Sequence, residues 1–239
     1  MNLFYLIRHG QAGTRDAYDC LSSLGRIQAK ALGVWLAREG VNFDAVWTGA
    51  LRRQQDTAAI VLEAMAEAGS NQPEPCRDER WSEFDMDAVY AAIAPQMASE
   101  DPAFRDHFEA LQRAIVSGDA KVQRTWTAAD SAVVRAWVAG RYPFDGELWP
   151  GFVARVQSAA RERLDEAATG RRIAVFTSAT PVAITLGLVL PLRSSDMMEL
   201  AGSSINTNVT LLNVKEGRPQ LFAFNASAHL ESPEHRTFR

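Results

Sequence analysis

Residues 3–7, Leu-Phe-Tyr-Leu-Ile, form an unbroken apolar run that passes directly into Arg8-His9-Gly10. A short run without alternation suits a strand covered on both faces, as in a parallel sheet, rather than a strand with one wet face. It also leaves a cation and a potential nucleophile where that strand surfaces, beside a glycine that permits a tight turn. The pattern recurs. Residues 43–48 read as a second short strand and 52–68 as its following helix, while 173–177 read as a third strand followed by a helix over about 180–188. Ser22 or Ser23 caps a helix that carries Leu24, Ile27, Ala31 and Trp35 at helical spacing, with Gly40 as its stop. Near the end, residues 209–214 and 221–224 flank Lys215-Glu216-Gly217-Arg218, a turn signal that predicts a hairpin. The expected class is therefore α/β, a three-layer α/β/α sandwich with a mostly parallel sheet.

Between about residue 85 and residue 150 the pattern changes to helical pieces, such as 103–115 and 131–138, with no strand signal. This stretch reads as a helical cap inserted into a single domain over residues 1–239. No repeat or low-complexity linker divides the chain. The aromatic residues Trp126, Trp137, Tyr142, Phe144 and Trp149 in or near the insertion read as its core. The stretch from Arg155 to Arg172 interleaves arginines with Glu162, Asp165 and Glu166, which predicts a solvated, ion-paired helix face.

Composition removes several function classes. With 25 basic and 29 acidic residues the formal net charge is −4, so nothing attracts nucleic acid or an anionic membrane in general. No stretch approaches the roughly 18–20 apolar residues of a membrane span, and the apolar start is too short for a signal peptide, so a cytoplasmic setting is expected. Cys20 and Cys76 lie far apart and read as buried or idle thiols. Paired-ligand metal spacings, a phosphate-loop lysine and a dinucleotide glycine fingerprint are all missing, so neither metal nor cofactor is expected.

In an open parallel sheet, ligands gather outside the carboxyl ends of the strands. Those ends carry Arg8-His9-Gly10, then Thr48-Gly49-Ala50-Leu51-Arg52-Arg53, then Thr177-Ser178-Ala179-Thr180-Pro181. A lone histidine after a strand is more often structural than catalytic. Several cations converging on one place favour an anionic ligand and shift that balance.

These segments together resemble the histidine phosphatase superfamily, in its phosphoglycerate-mutase-like branch. Arg8-His9-Gly10 matches the signature triplet, and residues 43–53 followed by Thr57-Ala58 resemble the second arginine motif, with Arg53 on the phosphate-binding position. Arg80-Trp81-Ser82-Glu83-Phe84-Asp85 resembles the segment that carries the acid. Leu24-Gly25-Arg26, Gly146-Glu147 and Asn225 with His229-Leu230 also fit. The resemblance implies a phosphomonoesterase in which His9 attacks phosphorus, Arg8 and Arg53 neutralise the phosphoryl oxygens, and Glu83 protonates the leaving oxygen and then activates water. Gln11 adds a neutral donor, and a small phosphorylated substrate is the implied partner. On pattern alone Glu83 is one more solvated acid in the run from Asp78 to Asp87.

One position departs from the family. Where it places a second catalytic histidine, this chain has Ser178, which can donate a hydrogen bond but carries no charge. Thr180 as an N-cap, with Pro181 in the first helical position, would aim a helix amino terminus at the phosphate. A phosphate contact is therefore expected of Ser178 and Thr180. The alternative is a catalytically weak or inactive phosphate-ligand binding or regulatory protein on the same fold. A mutase proper is a weaker reading, because Gln11-Ala12-Gly13-Thr14-Arg15 lacks the Ser and Trp-Asn pattern that mutases carry after the triplet.

Overall fold

The first apolar run becomes β1 (Leu3–Arg8), which pairs on both sides and buries Phe4, Leu6 and Ile7 completely. The computed structural model describes residues 2–119 and 125–238; residues 1 and 239 of the expected domain, and 120–124 of the expected insertion, lie outside the described residues. β2 (Ala45–Thr48), β3 (Cys76–Arg77), β4 (Arg172–Thr177), β5 (Val209–Lys215) and β6 (Arg218–Ala226) complete a sheet in the order β3-β2-β4-β1-β5-β6. The β1–β4, β4–β2 and β2–β3 pairs are parallel, while β5 runs antiparallel to both β1 and β6. The hairpin turn between β5 and β6 places Glu216 and Gly217 at φ 51° and 73°, as the type I′ connection requires. β3 is too short to be visible as a pattern in the sequence.

Alternation sorts side chains between the two faces. Tyr5 and Ile7 join Val46, Ala174 and Phe176 in a core closed by Ala29, Leu32 and Leu36 of α1 (Ser23–Arg38) and Ala58, Val61 and Met65 of α2 (Arg52–Glu67). On the other face Phe4 packs edge-on against the fully buried Trp81, at 6.1 Å between ring centroids, and α7 (Ala179–Leu186) lies against β1. The α1 boundaries follow the sequence signals. The Ser22 hydroxyl accepts from the Gly25 N–H at 3.0 Å, and Gly40 follows the last turn at φ 64°.

The chain divides into two compact units, the first comprising Met1–Glu83 and Arg155–Phe238 and the second Phe84–Ala154. The second unit holds α3 (Met86–Glu100), α4 (Pro102–Val116) and α5 (Ala128–Val138), and the start of α6 (Trp149–Ala168). As expected, Trp137 and Trp149 form its core: Trp137 stacks on Phe84 at 4.5 Å and meets Trp149 and Phe152 at 5.6 and 6.0 Å. Trp126 instead stays half exposed. In the first unit, α8 (Ser194–Ser203) was not foreseen from the sequence.

Two expectations need correction. α7 begins two residues early: Ser178, not Thr180, is its N-cap, and Pro181 falls inside the first turn. The expected solvated face of α6 holds only in part, because the Arg163 guanidinium lies 3.9 Å from the Trp47 ring centroid and Arg155 reaches back to main-chain carbonyls. Of the two free thiols, Cys20 is half-buried and Cys76 is exposed.

Candidate active site

The parallel register brings three strand ends level. Arg8 pairs with Thr177, and Thr48 with Phe176, so the residues that follow, His9, Gly49 and Ser178, leave the sheet side by side. The ladder continues one step further through the His9 N–H to the Thr177 carbonyl, at 2.9 Å, and the Gly49 N–H to the Phe176 carbonyl, at 3.2 Å. Glycine is required just after β1, where a Cβ on Gly10 would come within 2.5 Å of the Gly25 carbonyl oxygen. That close approach seats the loop against the start of α1.

His9 is buried, and its two ring nitrogens have unambiguous roles. Nδ1 lies 2.7 Å from the Gly10 carbonyl, which only accepts, so Nδ1 carries the proton. Nε2 lies 3.2 Å from Arg53 Nε, which only donates, so Nε2 presents its lone pair. Burial first, then the charges of Arg53 and Arg8, hold the His9 pKa well below the ordinary histidine value. At neutral pH the ring is therefore uncharged, with its Nε2 unprotonated.

Arg53 stands on the first turn of α2, held by the Asp19 carboxylate at 3.0 Å from Nη1 and by the Tyr18 ring at 4.8 Å. Asp19 also accepts from the main-chain N–H groups of Arg52 and Arg53, at 3.0 and 3.5 Å. Arg8 is equally buried. Its Nη1 donates to the Ser204 carbonyl and its Nη2 to the Phe238 carbonyl at 2.9 Å, while Nε is buried without a partner. Desolvation lowers the Arg8 pKa, opposed by Tyr18 and Glu83. Glu83 is half-buried, and its Oε2 accepts from the Thr180 N–H at 3.2 Å, which ties the candidate acid to the amino terminus of α7.

The expected residues His9, Arg8, Arg53, Glu83, Ser178 and Thr180 thus gather at one edge of the sheet. Gln11 is engaged by α1 and its cap: its Oε1 accepts from the Ser22 hydroxyl at 2.8 Å and its main-chain N–H donates to Gln28 Oε1 at 2.7 Å. His229 is hydrogen-bonded to Thr207 Oγ1 at 2.9 Å, and His107 lies exposed on α4. Residues that the sequence did not suggest are Tyr18, Asp19, Gln54, Arg155 and the carbonyl of Phe238. Among the described residues, no three His, Cys, Asp or Glu side chains come together in a way that could hold a metal ion.

The model of the histidine phosphatase superfamily (branch 1) matches residues 4–124. The chain belongs to the histidine phosphatase superfamily. A 2,3-bisphosphoglycerate-dependent phosphoglycerate mutase of Methylorubrum populi is 39% identical over 92 residues, which is 35% of this chain and 41% of the relative. A mutase of the same description from Rhizobium meliloti is 38% identical over 89 residues, covering 34% and 40%. The chain thus matches about two fifths of the length of these curated relatives. Among solved structures, a mycobacterial glucosyl-3-phosphoglycerate phosphatase shares the fold at a TM-score of 0.60 and 21% identity, over 95% of this chain and 99% of that one. A phosphoserine phosphatase of Entamoeba histolytica aligns at 0.57 and 17%, over 96% and 100%. Superfamily members are phosphatases and mutases, and the α/β fold with its mostly parallel sheet is common to them.

Proposed function

We propose that this chain is a metal-independent phosphomonoesterase that passes a phosphoryl group through His9. The observation that carries the reading is the bare, uncharged Nε2 of a buried His9 beside Arg53. In the first step the Nε2 lone pair forms a bond to phosphorus while the ester P–O bond breaks, and the departing oxygen takes the proton of the Glu83 carboxyl group. Arg53 Nε turns from His9 to a phosphoryl oxygen, and the unpartnered Arg8 Nε supplies a second donor. In the second step Glu83, now a carboxylate, takes a proton from water whose oxygen attacks phosphorus. The P–N bond breaks, inorganic phosphate leaves and His9 is regenerated. Ser178 and the Thr180 segment support the same ligand as neutral donors. A small phosphorylated substrate and a cytoplasmic setting complete the reading.

Hydrolysis of p-nitrophenyl phosphate tests it, with His9→Ala as the comparison. Turnover that falls to background in the variant, with an acid-labile phosphohistidine trapped only in the wild type, is the expected result. Equal turnover by both proteins would falsify the proposal. Two observations favour a second reading, a phosphate-ligand binding protein: the uncharged Ser178, and the engagement of both Arg8 Nη atoms by carbonyls. Calorimetric binding of phosphate esters without turnover or phosphohistidine would establish that reading. The names of the curated relatives raise a mutase, which would show itself by phosphoryl transfer between positions of a phosphoglycerate instead of release to water.

A further inference from the structure

Gln54 follows Arg53 on α2, is fully buried, and sits behind Ser178. Its amide has one permitted orientation. The Trp81 carbonyl, which can only accept, lies 3.2 Å from Nε2, and the Leu51 N–H, which can only donate, lies 3.3 Å from Oε1. With the amide so fixed, Nε2 faces Ser178 Oγ at 2.8 Å and donates to it. The Ser178 oxygen is thereby an acceptor on that side, and its own proton remains to be given elsewhere. Neither side chain is exposed to competing water, since Ser178 is 1% exposed and Gln54 0%. As the N-cap of α7, the Ser178 oxygen would ordinarily accept from the free N–H groups of the first turn, but its side chain makes no such bond. Ser178 leaves β4 beside His9, and Gln54 follows Arg53 on α2, so the pair stands next to the residues proposed to hold the phosphoryl group.

We propose that Gln54 is a positioning residue for phosphoryl transfer: it holds Ser178 Oγ as an acceptor and so leaves the serine proton to be donated to a phosphoryl oxygen. The inference rests on the phosphatase reading. No proton is transferred by the pair. The hydrogen bond strengthens as negative charge grows on the phosphoryl oxygens, so its loss is read in kcat rather than in KM. Gly49 makes room for the arrangement, because a Cβ there would meet Gln54 Oε1 at 2.0 Å.

A double-mutant cycle on p-nitrophenyl phosphate hydrolysis tests the idea. Ser178→Ala and Gln54→Met are each expected to lower kcat about tenfold with KM within about twofold, the order set by losing one such hydrogen bond. The combined variant is expected to be no slower than Ser178→Ala alone. Multiplying effects, or a folded Gln54→Met protein with wild-type kcat, overturn the proposal. Gln54→Glu supplies a readout that packing alone does not move. Its carboxylate can only accept, so it draws the serine proton to itself and depresses kcat at neutral pH. Protonating that carboxyl restores a donor, and kcat is expected to rise as the pH is lowered, a limb that Gln54→Met lacks. Should Gln54→Met fail to fold, this pH response decides by itself, and its absence counts against the proposal. A wild-type protein without His9-dependent turnover would sink the phosphatase reading instead. The cycle is then run on the Kd for inorganic phosphate, where additive losses would still overturn the role of Gln54.

Discussion

His9 owes its state to two neighbours that each offer a single kind of hydrogen bond, a carbonyl on one nitrogen and a guanidinium N–H on the other. The same economy governs Ser178, whose oxygen is turned toward Gln54 by an amide that cannot flip. This bears on what a histidine at position 178 would do. Its hydrogen-bond partner Gln54 and its chain neighbour Thr177 are both fully buried, so a larger side chain there has to displace packed groups. Ser178→His alone is expected to lose about 1–3 kcal/mol of stability through overpacking and to gain nothing in kcat. Trimming the neighbour as well, in the Ser178→His, Gln54→Ala double variant, is expected to recover most of the stability and to exceed the single variant in kcat. Urea midpoints and kcat on one aryl phosphate measure both. A Ser178→His protein that is faster than wild type at an unchanged midpoint would show that Ser178 is a plain defect.

At the scale of elements, the decisive piece is the short segment from β3 to Glu83. The Asp78 N–H donates to the Thr48 carbonyl at 2.8 Å, and its carboxylate caps the turn over Glu79–Trp81. Thr177 Oγ1 donates to the Trp81 carbonyl at 2.5 Å, and Ser82 Oγ accepts from the Ala50 N–H at 2.9 Å. From α6, Arg155 Nη1 donates to the carbonyls of Arg80 and Ser82, at 2.8 and 2.9 Å, which fixes the main chain immediately before the candidate acid. Arg155→Met keeps the apolar stem and removes the donors. It is expected to slow hydrolysis of alkyl phosphates, whose leaving oxygen needs a proton, about tenfold or more, and that of p-nitrophenyl phosphate much less. Equal losses on both substrates would mean that Arg155 supports the fold alone. Such links explain which parts of the molecule were legible in sequence. Apolar runs and Ser22 were readable because their causes are local: burial on both faces, and a cap three residues from its donor. The start of α7 was misplaced because the Ser178 hydroxyl is claimed by a side chain 124 positions away. The arginines of α6 looked solvated because periodicity cannot show a guanidinium folding back onto Trp47 or onto a carbonyl. Gln54 carried no local mark at all.

Across the whole molecule, the same buried histidines set how the fold answers to acid. Thr207 is a β-branched residue at φ 57°, a strained conformation held by the ties of its N–H and its hydroxyl. Its N–H donates to the His9 carbonyl at 3.2 Å, and its hydroxyl donates to the Asn206 carbonyl at 2.7 Å. The hydroxyl oxygen is left to accept from His229 Nε2, at 2.9 Å. His229 Nδ1 then lies buried without a partner, and a proton placed on it has nothing to meet; desolvation accordingly lowers the His229 pKa to about 4. Because the folded pKa lies below the unfolded one, the unfolded chain binds more protons between about pH 6.5 and 4, and stability falls as the pH drops through that window. A gap of about 2.5 pKa units corresponds to as much as about 3 kcal/mol for His229, and His9, depressed by the same burial, adds in the same direction. Carboxylates such as Asp196, lowered to about 2 by Arg193, oppose unfolding until the pH falls below about 4, so they do not mask the histidine window. Urea unfolding at pH 7, 5.5 and 4.5 is expected to show a steadily falling midpoint, and His229→Gln is expected to flatten that slope while lowering stability at pH 7. A wild-type midpoint that stays level from pH 7 to 4.5 would mean that His229 accepts its proton in place, and that the strained Thr207 segment does not depend on a neutral ring.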